Sequence, residues 1–392
     1  MRRSALMLML LVANVVKLSA KEFVIGTVEE LNEIQGKAHP GDVITIKDGI
    51  YSGWKAEVKV SGTAAAPIMI RAQHAGKVVF TGDVTDVVFE VKGSFILLKD
   101  LSFKDCVLSK ANGKTGLLIN LNSTESSRIT ACVFDNNSVK QQFMALVRIS
   151  GNGKNNIVDR CSFSKNKDNQ DLQVSVSKES CPQNTIIRNN LFRDKEPVSW
   201  KNNNGGECVQ IGQDPVLLGT IKANTLVRDN TFIKCNGEPE VISNKSSGNS
   251  YISNRFENCE GELVMRGGHD CIIDSNVIKG GQSSGIRLSG TGHRVTNNRI
   301  SDVRNGIRLM YGAAKGKDET GFYIAASNCT IRNNKIENAG IGILVGDSKN
   351  VDLTGRFDPV KYPSPTMQNV APFDNMIKDN VFVNVKSDVV TN

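Results

Sequence analysis

IIDSNVI at 272–278 and RVTNNRI at 294–300, 22 residues further on, are two copies of one short pattern. Each has alternating apolar and polar residues, then an anchor (Asn276, Asn298), any residue, and a closing Phe or Ile. Working outward, the same pattern reads YISNRF at 251–256, LVRDNTF at 226–232, IIRNNLF at 186–192 and IVDRCSF at 157–163. Downstream it reads TIRNNKI at 330–336 and MIKDNVF at 376–382. Weaker copies, LLKDLSF at 97–103 and ITACVF at 129–134, put Leu101 and Cys132 in the anchor place. From Leu101 the anchor spacings are 31, 29, 29, 40, 24, 22, 22, 36 and 46. A period near 22 with longer steps where loops are inserted marks a solenoid.

The strands are short and alternating, and no helical periodicity separates them, which disfavours helical repeats and leucine-rich horseshoes. The expected fold is all-β: one right-handed parallel β-helix, with equivalent residues of successive coils stacked one strand spacing apart. That architecture accounts for 39 Asn and 35 Gly in 392 residues. Stacked amides bond along the axis, and both residues tolerate turn conformations. An open solenoid end needs a cap. Thr27 followed by an amphipathic run, with Glu30 three residues on, predicts an N-capped helix over the first coil.

Arg2 and Arg3, the apolar run from Ala5 to Val16 and the small residues ending at Ala20 have the parts of a secretory signal peptide. The expected organisation is a signal at 1–20 and one β-helix domain at 21–392, secreted or periplasmic. Removing 1–20 takes three cations and no acid from a net charge of +8, leaving +5. No other apolar run is long enough to span a membrane. Nine Cys without a CxxC pair argue against structural zinc. Sequons stand at Asn122, Asn136, Asn244 and Asn328.

The candidate site lies between Gly237 and Tyr311. Lys245, Arg266, Arg287 and Arg308 follow one another at steps of 21, which predicts a cation column on one face. Four stacked cations repel one another, so the column is expected to serve a polyanion rather than the fold. Just before it, Glu238 and Glu240 are two apart on a strand and share a face. Such a pair either binds a hard cation such as Ca²⁺ or forms salt bridges to Lys245 and Arg266. Asn204 and Glu207, one coil earlier, add oxygen donors. Carboxylates beside such cations make poor acids, which disfavours a glycosidase and favours a basic residue acting on a uronic acid.

NGGE (204–207), EPEVISNKS (238–246) and LVMRGG (263–268) together resemble polysaccharide lyase family 6, the alginate lyases and the dermatan-sulfate-cleaving chondroitinase B. The resemblance implies β-elimination with Lys245 as base, Arg266 as acid, and Ca²⁺ held by Glu238, Glu240, Asn204 and Glu207. The substrate would be an acidic polysaccharide, alginate ahead of dermatan sulfate, contacted by Arg287, Arg308, His269 and Tyr311. Where many members have His after the Arg, this chain has Gly267, Gly268 and then His269. A non-catalytic polysaccharide-binding β-helix would need only the cations, and the motif of a C-5 epimerase is absent. Nucleic acid and membrane partners are not expected.

Overall fold

The computed structural model describes residues 20–214, 221–281, 283–319, 323–356, 358–360 and 364–392. The expected signal peptide, apart from Ala20, lies outside them. The chain winds into a parallel β-helix. One sheet, here sheet A, has 13 strands in chain order, from Glu22–Ile25 to Met376–Lys378. The other strands of the coils form a second hydrogen-bonded assembly of two faces: sheet B, from Gly49–Ser52 to Val381–Val383, and sheet C, from Ala56–Val58 to Ser387–Thr391. Long strands turn the corner between those faces. Arg299–Met310 pairs with Val277–Lys279 at one end and with Ile286–Leu288 at the other.

The anchors are the corner between sheets A and B. Asn190, Asn230, Asn254, Asn276, Asn298, Asn334 and Asn380 form an unbroken amide ladder. In each rung one Asn accepts, on its Oδ1, both the backbone and side-chain N–H of the Asn one coil before. The left-handed conformation belongs to the residue before the anchor: Asp229, Ser253, Ser275, Asn297, Asn333 and Asp379 have φ between 55° and 57°. Asp, Asn and Ser suit that place because short polar side chains tolerate it best after glycine. The closing aromatics stack inside sheet B. Phe103, Phe134, Phe163, Phe192, Phe232 and Phe256 lie 4.5–5.2 Å apart with rings within 9° of parallel. That separation is the strand spacing itself.

The N-terminal helix is Val28–Gln35, with the Thr27–Glu30 capping box formed and Leu31 buried. Gln35 ties it to the first coil by donating to the Glu57 carbonyl and accepting from the Lys59 amide. All nine cysteines are free thiols, and all but Cys181 are buried. No helix among the described residues is long and apolar enough to cross a membrane.

Candidate active site

Sheet C carries the site on its outer face. Its register aligns Asn120, Arg148, Gln173, Gln210, Ser243, Val264, Arg287 and Arg308 in one row across the strands. Lys245 and Arg266 lie two residues further along their strands than Ser243 and Val264, on the same face. They line a cleft of about 460 Å³ with Asn204, Phe143, Arg148, Gln170, Gln173 and Gln210. That volume falls within the range of ligand-binding clefts.

Three carboxylates stand beside Lys245. Glu207, Glu238 and Glu240 are all buried and each places an oxygen within 4.8 Å of the others. Glu207 is oriented by Gln170 and Gln210, whose amides donate to its two oxygens at 3.1 and 2.7 Å. Glu238 accepts the backbone amides of Gly205 and Gly206. Only glycine allows that approach: Gly205 has φ 93°, and a Cβ on Gly206 would lie 2.6 Å from the Gly237 backbone. Burial and the neighbouring Glu207 and Glu240 push the Glu238 carboxyl up to about 9. Burial alone would also raise Glu240, but Arg287, Arg266 and Lys245 outweigh it and hold that carboxyl at about 2. The Glu240 Oε2 atom is buried with no hydrogen-bond partner; Ser243 is near enough to lower its pKa but not placed to bond it. A cluster of acids that cannot all stay charged, with one orphaned oxygen, fits a hard divalent cation.

Lys245 is 6% exposed, with its Nζ 3.9 Å from Glu207 Oε1. Burial lowers its pKa, Arg266 lowers it further, and the three acids oppose both. Arg266 has no carboxylate within ion-pair distance among the described residues, and its guanidinium lies 5.7 Å from the centre of the Tyr323 ring. Asn244, the sequon beside the base, is fully buried. Its amide bonds Ser246 and Gly267 and its oxygen accepts from Tyr251, so no glycan fits there.

The single column of four cations does not form. The coil from Leu263 to its partner Ile286 takes 23 residues, so Arg287 aligns with Val264 and Ser243 rather than with Arg266. A bulge after Asn244 further sets Lys245 opposite Gly267. The cations fall into two pairs. Arg287 pairs with Glu240, and Arg308 with Glu262 at 2.6 Å and with Asp347. At 15% and 17% exposure both are paired with acids, and Arg308 lines a cleft of about 730 Å³ together with Glu262 and Asp347.

Two further expected contacts are also displaced. His269 is 2% exposed, and its Nδ1 accepts the Thr291 amide inside the coil stack. Tyr311 is 5% exposed and donates its hydroxyl to the Asn392 carbonyl. Gly267 does leave space beside the base: a Cβ there would meet only the Lys245 Cα, at 3.7 Å. Arg148, Gln173, Gln210, Glu262 and Tyr323 were not singled out from sequence. Aligning LVRIS (146–150), DLQVS (171–175) and CVQIG (208–212) would have revealed the first three as one outward row.

The chain matches the Chondroitinase B family over residues 25–391. Comparison with curated proteins found no match. Among solved structures it is similar to a mannuronic-acid-specific polysaccharide family 6 lyase from human gut microbiota, at 27% identity and TM-score 0.77. That match covers 94% of this chain and 83% of the relative. A family 6 polysaccharide lyase from Pseudopedobacter saltans matches at 23% identity and TM-score 0.74, covering 94% and 92%. The family 6 alginate lyase AlyGC matches at 24% and 0.72, covering 95% of this chain and 53% of its own. The latter two speak to the fold alone.

Proposed function

The chain belongs to the chondroitinase B family, polysaccharide lyase family 6, and from that premise we propose that it is a secreted alginate lyase assisted by Ca²⁺. The observation that carries the reading is the pairing, on one cleft wall, of a buried lysine whose pKa burial lowers with an arginine that has no carboxylate within ion-pair distance among the described residues. Neutral Lys245 accepts the proton from C-5 of a uronate. The electron pair of that C–H bond forms the C-4–C-5 double bond as the C-4–oxygen bond breaks. Arg266 stabilises the departing oxygen. Burial works against its charge, but Tyr323 and the nearby acids raise its pKa, so it acts as a fixed positive charge and the leaving oxygen takes its proton through water. Glu207, Glu238, Glu240 and Asn204 would hold Ca²⁺, whose chemistry there is neutralisation of the substrate carboxylate.

Two observations favour alginate over dermatan sulfate. The gut relative is named as mannuronate-specific. Arg287 and Arg308, which could have met sulfates, are already paired with acids. Secretion rests on the signal-like residues 1–20 and on a first strand that begins at Glu22; N-terminal sequencing of the exported protein tests it. The activity test incubates the protein with polymannuronate, polyguluronate and dermatan sulfate, with and without EDTA, and follows ultraviolet absorbance of the unsaturated uronate. Product from polymannuronate that EDTA abolishes is the expected result. No product from any polymer removes the assignment of substrate, and activity untouched by chelation removes the metal.

A further inference from the structure

Besides Lys245 and Arg266 the cleft contains a third cation, Arg148, that the mechanism does not use. Arg148 lines it with Lys245 and Arg266, and among the described residues no carboxylate lies within ion-pair distance of it. Glu90, whose charge it feels, is occupied by Asn120 and Asn122. Its Nε donates to Gln173 Oε1 at 3.0 Å. Gln173 in turn donates to Gln210 Oε1 at 2.6 Å, and Gln210 donates to Glu207 Oε1 at 2.7 Å. The chain has a cation at one end and an anion at the other. Each amide must therefore point its oxygen toward Arg148 and its N–H toward Glu207. This holds Arg148 by its Nε, while its terminal nitrogens carry no hydrogen bond among the described residues.

The register puts Arg148 three strands before Ser243, about 14–15 Å along the solenoid axis. On the C-terminal side of Arg266 lies a second cleft of about 730 Å³, in which the acids Glu238, Glu262 and Asp347 line the wall beside Arg308. Tyr323 covers the guanidinium, Ile324 accepts the Gly290 amide, and Arg287 and Arg308 are committed to acids. A polymer with its reacting unit at Lys245 that runs toward the N-terminal coils meets Arg148 in the same cleft, and each uronate it contains presents one carboxylate.

Resting on the function proposed above, we propose that Arg148 is a distal subsite that binds the carboxylate of a uronate more than one sugar unit from the bond that breaks. It thereby sets the oligomer length needed for full turnover.

The test compares the whole protein with its Arg148→Gln and Arg148→Lys variants on size-defined oligouronates, from the shortest that is cleaved upward. The expected result is a KM for long oligomers raised roughly 10- to 100-fold in Arg148→Gln, the range for losing a hydrogen bond to a charged group. The loss grows with oligomer length and is smallest for the shortest oligomer, and Arg148→Lys recovers part of it. An equal loss at every length would mean that the row only props up Glu207, and would overturn the proposal. So would an unchanged length dependence. If the parent protein yields no unsaturated product, the alginate reading falls first. Calorimetric titration of the same oligomers then decides Arg148 alone, and equal affinity of parent and Arg148→Gln rejects it.

Discussion

Replacing Asn254 by Ala should destabilise the fold more than any single surface change, because Asn254 is a middle rung of the amide ladder. Its Nδ2 donates to the Val227 carbonyl and to Asn276 Oδ1, both at 3.0 Å. Its Oδ1 accepts the Asn230 amide at 3.1 Å and Asn230 Nδ2 at 3.0 Å. Not all four losses count equally. Asn276 Oδ1 keeps the Asn254 backbone amide, and Asn230 Nδ2 keeps the Ile187 carbonyl. The Asn230 N–H is left with nothing, one Asn230 side-chain hydrogen is orphaned, and the Val227 carbonyl loses a partner. Each orphan costs about 1–3 kcal/mol, so allowing for relaxation the total is about 3–5 kcal/mol. Urea denaturation followed by circular dichroism measures it, and hydrogen exchange at the Asn230 amide should accelerate by about a hundredfold or more. Asn254→Cys should lose less, since Cys132 and Cys161 already occupy this corner. A loss under about 1 kcal/mol with unchanged exchange at Asn230 would refute the reasoning.

Four further outcomes are expected. Phe192→Ala removes a ring stacked at 4.8 Å on both neighbours and should cost about 3–5 kcal/mol in the same assay; a change within error would mean that the stack is incidental. Burial holds His293 near 4 against the pull of the Ser289 carbonyl and Asp270, so it stays neutral in the fold while the unfolded chain protonates near 6.5. Stability should be full above about pH 6.5 and fall, by up to about 3 kcal/mol, as pH drops toward 4; denaturation curves of His293→Asn should lack that component. Arg287→Met strands the buried Glu240 charge and should cost about 3–5 kcal/mol, where an open substrate contact would instead raise KM at unchanged stability. Gln210→Leu frees one Glu207 oxygen and should weaken Ca²⁺ binding about 10- to 100-fold by calorimetry, whereas parent-like affinity would deny Gln210 its orienting role.

The ladder and the capping helix were legible because each is written in residue types that mean one thing. Asn recurs at every anchor from 190 onward, and Thr27 with Glu30 makes a capping box wherever a helix follows. The acids were legible by motif, and the structure brings Glu207, Glu238 and Glu240 together. The cation column misled because steps were counted in residues while the solenoid counts coils. One coil of 23 residues and one bulge move Arg287 and Lys245 out of line without changing any residue type. Arg148 escaped for the opposite reason. Its row reads Arg, Gln, Gln, Ser, and nothing in that series announces a column until the register is known.

The uneven anchor spacing has a consequence for how such a protein can change. Between Asn298 and Asn334 the chain spends 36 residues, and between Asn334 and Asn380 it spends 46, yet each pair still meets amide to amide at about 3 Å. Length is absorbed wholly outside the rungs. Insertions and deletions in the turns therefore leave the stacking of neighbouring coils alone, and the walls of the cleft can be recut without disturbing its floor. The fold keeps its heritable variation in one compartment and its chemistry in another, which lets new substrates be sampled at little cost to folding.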